Sequence, residues 1–193
     1  EVVVKVKSQL SIETSAGRIA VRGASDDDYE GPAWERIALL VELGGDDTYR
    51  VPVGATTSFE HGLSIAIDVA GADDYGYVEV AHARDVGPDG HVRLVSDAAG
   101  RNDPPAGADD GPWSLSTTSR QGAGRLGVGM LVDLGDAADV YRSHRMSQGY
   151  GALGVGVLYD ADGAAPYPRD AGGHGPAGVG GGLLPDAGRA ETP

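Results

Sequence analysis

The chain contains no cysteine. Disulfides, thiolate catalysis and Cys-based zinc sites are therefore excluded, while compartment is left open. Phenylalanine occurs once, at Phe59, and lysine only at Lys5 and Lys7. No apolar run approaches the roughly 18 residues that cross a bilayer, and no signal-peptide pattern is visible. The start at Glu1 rather than methionine reads as a processed or excised piece. Positive charge is scarce: 15 Lys and Arg stand against 29 Asp and Glu, a net charge of −14. That balance disfavours nucleic acid and anionic membranes as partners and favours cations. Catalytic constellations are missing as well. The histidines (His61, His82, His91, His144, His174) share no metal-ligand spacing, and no nucleophile elbow, Walker loop or His-Glu-x-x-His occurs.

What is abundant is glycine, 32 residues, with 11 prolines. Both are costly inside helices, so the composition predicts little helix. One phrase recurs and ends each time in tyrosine: Ala20 to Tyr29, Leu40 to Tyr49 and Ala66 to Tyr75, with worn copies at Leu131 to Tyr141 and Leu158 to Tyr167. The tyrosines lie 20 or 26 residues apart (29 to 49, 49 to 75, 141 to 167). A second style of repeat matches Gln121 to Asp133 with Gln148 to Asp160 at an offset of 27, and an eroded copy runs from His174 to Asp186. Such periods predict stacked units that share one core. Residues 1–22 read as an N-terminal β cap, with a tight turn at Ser15-Ala16-Gly17. Residues 77–119 read as a degenerate coil carrying an inserted loop, because Pro and Gly punctuate them.

The predicted fold is all-β: a single right-handed parallel β-solenoid (β-helix) of about 20–27-residue coils over 1–193, a fragment of a longer one. Period two places Val128, Met130 and Val132 on one strand face and Gly127, Gly129 and Leu131 on the other. The glycines then serve close backbone approach. The tyrosines are expected to stack as a ladder at coil corners, with hydroxyls reaching solvent. Asp26, Asp27, Asp28, Asp46, Asp47, Asp73 and Asp74 occupy equivalent turns. Stacked in register, these carboxylates would raise one another's pKa or demand a cation, and calcium suits oxygen-only sites. The alternative is that Asp and Gly simply make good turns, with the Asp side chain bonding the nearby backbone.

The phrases at Gly44 to Tyr49 and Ala70 to Tyr75, with Gln121 to Asp133 and Gln148 to Asp160, resemble a class of uncharacterised bacterial Gly/Asp-rich proteins whose repeat reads roughly QGxGxxGVGxLxDxGGDDxY. The resemblance implies a β-solenoid in an extracellular or cell-envelope setting and brings no activity with it. The chain departs from that repeat at Gly135 to Tyr141 and Gly163 to Tyr167, where the paired Asp is broken or lost. The expected function is a non-catalytic structural or adhesive surface module, calcium-stabilised at its Gly-Asp-Asp turns. Its expected partners are itself or another chain at an open C-terminal end, or a surface polysaccharide or protein. The alternative is a polysaccharide hydrolase or lyase, with its site near 77–119 among Arg84, Asp85, His91, Arg93, Asp109 and Asp110.

Overall fold

The computed structural model describes residues 9–76, 84–86, 92–94, 119–141, 146–161 and 181–183. These residues form short strands, one 3-10 turn at Pro32–Trp34 and no α-helix. The strands are β1 (Leu10–Thr14), β2 (Gly17–Val21), β3 (Asp28–Tyr29), β4 (Ile37–Glu42), β5 (Thr48–Tyr49), β6 (Leu63–Asp68), β7 (Asp74–Tyr75), β8 (Arg84–Val86), β9 (Val92–Leu94), β10 (Gly124–Arg125), β11 (Val128–Asp133), β12 (Val140–Tyr141), β13 (Gly151–Ala152), β14 (Val155–Asp160) and β15 (Gly181–Leu183).

The expectation of a right-handed parallel β-solenoid is corrected. The strands divide among separate sheets, and the largest is mixed. That sheet has seven strands in the order β1-β2-β4-β6-β11-β14-β15. Its first pair is antiparallel, since the turn at Ser15 to Gly17 is too short for the crossover a parallel pair needs. The β8–β9 pair is also antiparallel and forms a sheet of its own. A four-stranded parallel sheet (β12-β7-β5-β3) and the parallel pair β10–β13 complete the set. The hairpin β1–β2 falls within the expected cap; residues 1–8 lie outside the described residues. In the large sheet β6 adjoins β11 directly; of the expected degenerate coil at 77–119, residues 77–83, 87–91 and 95–118 lie outside the described residues.

Within this mixed arrangement the repeat sets the register. Leu39 pairs with Ile65 at an offset of 26, and Val128 with Val155 at 27. Strands β6, β11 and β14 alternate sides strictly. β6, β11 and β14 share one burial pattern, with Ser64, Gly129 and Gly156 inward, then Ala66, Leu131 and Leu158, then Asp68, Asp133 and Asp160. The inward row Ala20, Leu40, Ala66, Leu131 and Leu158 is at most 2% exposed. It packs with Val51, Val53 and the tyrosines of the small sheet in one core. Glycine or serine inward leaves room only for another backbone. A Cβ on Gly129 would overlap the Ala123 carbonyl, and one on Gly156 the Tyr150 carbonyl.

The outward face carries the bulk. Leu10, Val21, Val41, Ile67, Val132 and Tyr159 form one row across the sheet, and Ile12, Ile19, Leu39, Ile65, Met130 and Val157 form the next. A shorter row holds Leu63, Val128 and Val155 at 45%, 39% and 46% exposure.

Candidate functional site: a buried acid–tyrosine ladder

Tyr29, Tyr49, Tyr75 and Tyr141 pair through the small sheet and stack in one column. Successive ring centroids are 4.7, 4.6 and 4.7 Å apart, with interplanar angles of 3°, 7° and 3°. The strand spacing imposes this distance, and offset stacking makes it favourable. Trp34 closes the Tyr29 end edge-on, with its centroid at 4.8 Å. The Arg18 and Arg22 guanidinium groups cover the indole in turn, 4.8 and 4.9 Å from its centroid.

The hydroxyls do not reach solvent, contrary to expectation. All four rings are at most 1% exposed, and their hydroxyls donate to acids at the ends of the long inward-facing strands. Tyr29 donates to Glu42. Tyr49 donates to Asp68 at 2.6 Å. Tyr75 and Tyr141 donate to Asp133 at 2.9 and 3.0 Å. Glu42, Asp68, Asp133 and Asp160 are themselves in register across the large sheet.

A second acid row runs beside the tyrosines. The Asp27 amide donates to Asp47 Oδ1 at 2.6 Å, the Asp47 amide to Asp73 at 2.7 Å, and the Asp73 amide to Asp139 at 2.7 Å. Each carboxyl thus ties its own layer to the one before it. The neighbouring exposed aspartates tie the layers in the opposite sense: the Asp46 amide donates to Asp26 and the Ala72 amide to Asp46, both at 3.0 Å. Glycine permits the close approach. Gly71 has φ +143°, and a Cβ there would overlap the Gly45 carbonyl of the preceding turn.

The seven aspartates expected to hold calcium therefore separate. Asp47 and Asp73 are buried in the ladder. Asp27 is half-buried, and its Oδ2 has no hydrogen-bond partner. Asp26, Asp28 and Asp46 are exposed. Asp74 lies half-buried beside Arg50, with an oxygen 2.7 Å from its guanidinium. The aspartates missed by sequence reasoning complete the cluster. Asp47, Asp68 and Asp73 form one group, and Asp73, Asp133 and Asp139 another, with one oxygen from each member within 4.8 Å of the others. The overlooked signal is positional: Glu42, Asp68, Asp133 and Asp160 share the inward parity of Leu40, Ala66, Leu131 and Leu158. Asp139 fills the Asp47 and Asp73 position in a copy whose paired Asp is broken.

Burial dominates the electrostatics. It pushes Glu42 up to about 8, although the Tyr29 hydroxyl pulls the other way. It pushes Asp47 up to about 7 against the bond from the Asp27 amide. Asp68 and Asp73 are hydrogen-bonded to each other, and burial raises both. Burial also raises Asp133 and Asp139. The phenols of Tyr29, Tyr49 and Tyr75 lie far above their usual range, through burial first and the adjacent acids after it. The tyrosines are therefore fixed neutral donors, and the acids carry protons at a pH where ordinary carboxylates carry none.

Oxygen-only donors of this kind are ones a hard divalent cation accepts, and nothing in the set selects calcium. Most of these oxygens already face N–H or O–H donors, whose positive ends favour a carboxylate and oppose a cation. Comparison with known protein families, curated proteins and solved structures finds no match to this chain.

Proposed function

We propose that this chain is a non-catalytic structural module whose turns are held in register by the acid–tyrosine–amide ladder. One observation carries the reading. The same Tyr, inward acid and amide-bound Asp recur layer upon layer, sealed from water at 2% exposure or less. Shifted pKa values also mark active sites. A catalytic site, however, is needed once and must admit its substrate, whereas this arrangement repeats and admits none. The reading needs no metal, since burial raises the proton affinity of Glu42, Asp47 and Asp73 and amide and hydroxyl donors face most of the buried oxygens. A cell-surface or secreted setting, with a structural or adhesive role, rests on the resemblance in the repeat.

The competing hydrolase or lyase would use the segment near 77–119. Of that segment, the described residues supply the backbone pairing of Asp85 with Arg93 between β8 and β9 and the last residue, Ser119. The test is to incubate the full chain with neutral and acidic polysaccharides, following reducing ends and unsaturated products, and to melt it with calcium and with a chelator. The module reading expects no turnover and equal melting temperatures. Turnover abolished by Asp110→Asn would overturn it in favour of the enzyme. A large calcium-dependent rise would make the ladder a metal centre.

A further inference from the structure

We infer that the outward face of the seven-stranded sheet packs against the same face of a second copy of this chain. Sheets in folded proteins are commonly apolar on the side they bury and polar on the side they show to water. Here the inward rows end in acids, and the outward rows are apolar from strand to strand. Leu63, Val128 and Val155 stand in register at 39–46% exposure, and Ile12 in the adjacent row is 50% exposed. A contiguous apolar surface of this kind marks an interaction site, whereas scattered single residues would not.

Size and chemistry choose the occupant. Strands about 4.8 Å apart and some six residues long give the seven-stranded sheet a face of about 600 Å². Two such faces in contact bury about 1,200 Å² in total, where stable specific interfaces begin. A second copy meets the face with identical apolar rows, so aligned sheet packing buries no charge. A polysaccharide needs donors and acceptors, and among these rows only Tyr159 supplies a hydroxyl. An anionic bilayer is repelled by the net charge of −14. That same charge opposes the pairing of two copies at long range, so association strengthens as salt screens it.

The experiment is sedimentation of the full chain over a concentration series in low and high salt, with circular dichroism on every variant. The wild-type chain is expected to double in mass at high salt. Ile65→Lys in the central row is expected to remain monomeric. Val155→Lys, at an already exposed position, alters the face without entering the core and guards against misfolding of the first variant; it should weaken dimerisation at least tenfold. Phe59→Ser, at 78% exposure and outside the rows, should dimerise like the wild type. A wild-type monomer at every salt concentration would overturn the inference. So would a dimer that survives Val155→Lys and Ile65→Lys unchanged. Binding of a monomeric wild type to neutral lipid vesicles would assign the face to a bilayer instead.

Discussion

Acidification should stabilise this protein. Glu42, ordinarily near 4.5, is pushed up to about 8, and Asp47, ordinarily near 3.8, to about 7. A group that holds its proton more tightly folded than unfolded contributes stability that is complete below its unfolded value. That contribution is lost as pH rises through the folded value, here across the window from about 4 to about 8. At about 1.4 kcal/mol for each tenfold gain in proton affinity, these two groups together would lose about 6 kcal/mol between pH 5 and pH 8. Local relaxation and water reaching the ionised acids halve this to about 3 kcal/mol. For a chain of this length that corresponds to a melting temperature about 10 °C higher at pH 5 than at pH 8. The described ion pairs, Arg18 with Glu13 and Arg50 with Asp74, weaken only in stronger acid. The assay is a thermal melt by circular dichroism at constant ionic strength. A melting temperature that falls steadily from pH 8 to pH 5 would refute the reasoning.

Other perturbations follow from the same contacts. Asp47→Asn keeps an oxygen for the Asp27 amide and removes a buried group that ionises near pH 7, so it should raise the melting temperature at pH 8 by several degrees and flatten the pH profile. Tyr49→Phe takes away the 2.6 Å donor to Asp68; it should cost about 1–3 kcal/mol in a denaturant titration, because the acid stays buried with one partner fewer. Gly71→Ala forces a Cβ onto the Gly45 carbonyl at φ +143° and should destabilise more than either, by upwards of about 3 kcal/mol. Trp34→Ala uncovers the ring of Tyr29; the exchange of amides near β3 should speed up well before that of amides near β12.

The tyrosine column was legible because one residue type at one place in a repeated phrase can stack on its equivalents only in register. The alternation in Gly127 to Asp133 was legible for the same reason. What alternation could not reveal was which side faces in. Both rows of β11 are compatible with a core, and only the folded chain puts Gly129 and Leu131 inside and Met130 and Val132 outside. That ambiguity hid the acids, since only the inward parity of Asp68 and Asp133 aims them at the tyrosines. It also hid the destination of the hydroxyls. The direct pairing of β6 with β11 was invisible because equivalent residues are 65 positions apart there, far from either visible period. The antiparallel pairs that make the fold mixed lie where the phrase is absent, in β1 and in β8–β9.

Everything turns on the acids along the tyrosine column holding protons because burial, not a bound cation, sets their charge. Carbon-13 resonances of the Asp and Glu side-chain carboxyls, followed from pH 3 to pH 9 in the intact chain, report this group by group. The account requires a small set, Glu42, Asp47 and Asp73 among them, still protonated at pH 6, while the exposed acids are already ionised. Carboxyls that have all ionised by pH 5 would contradict it.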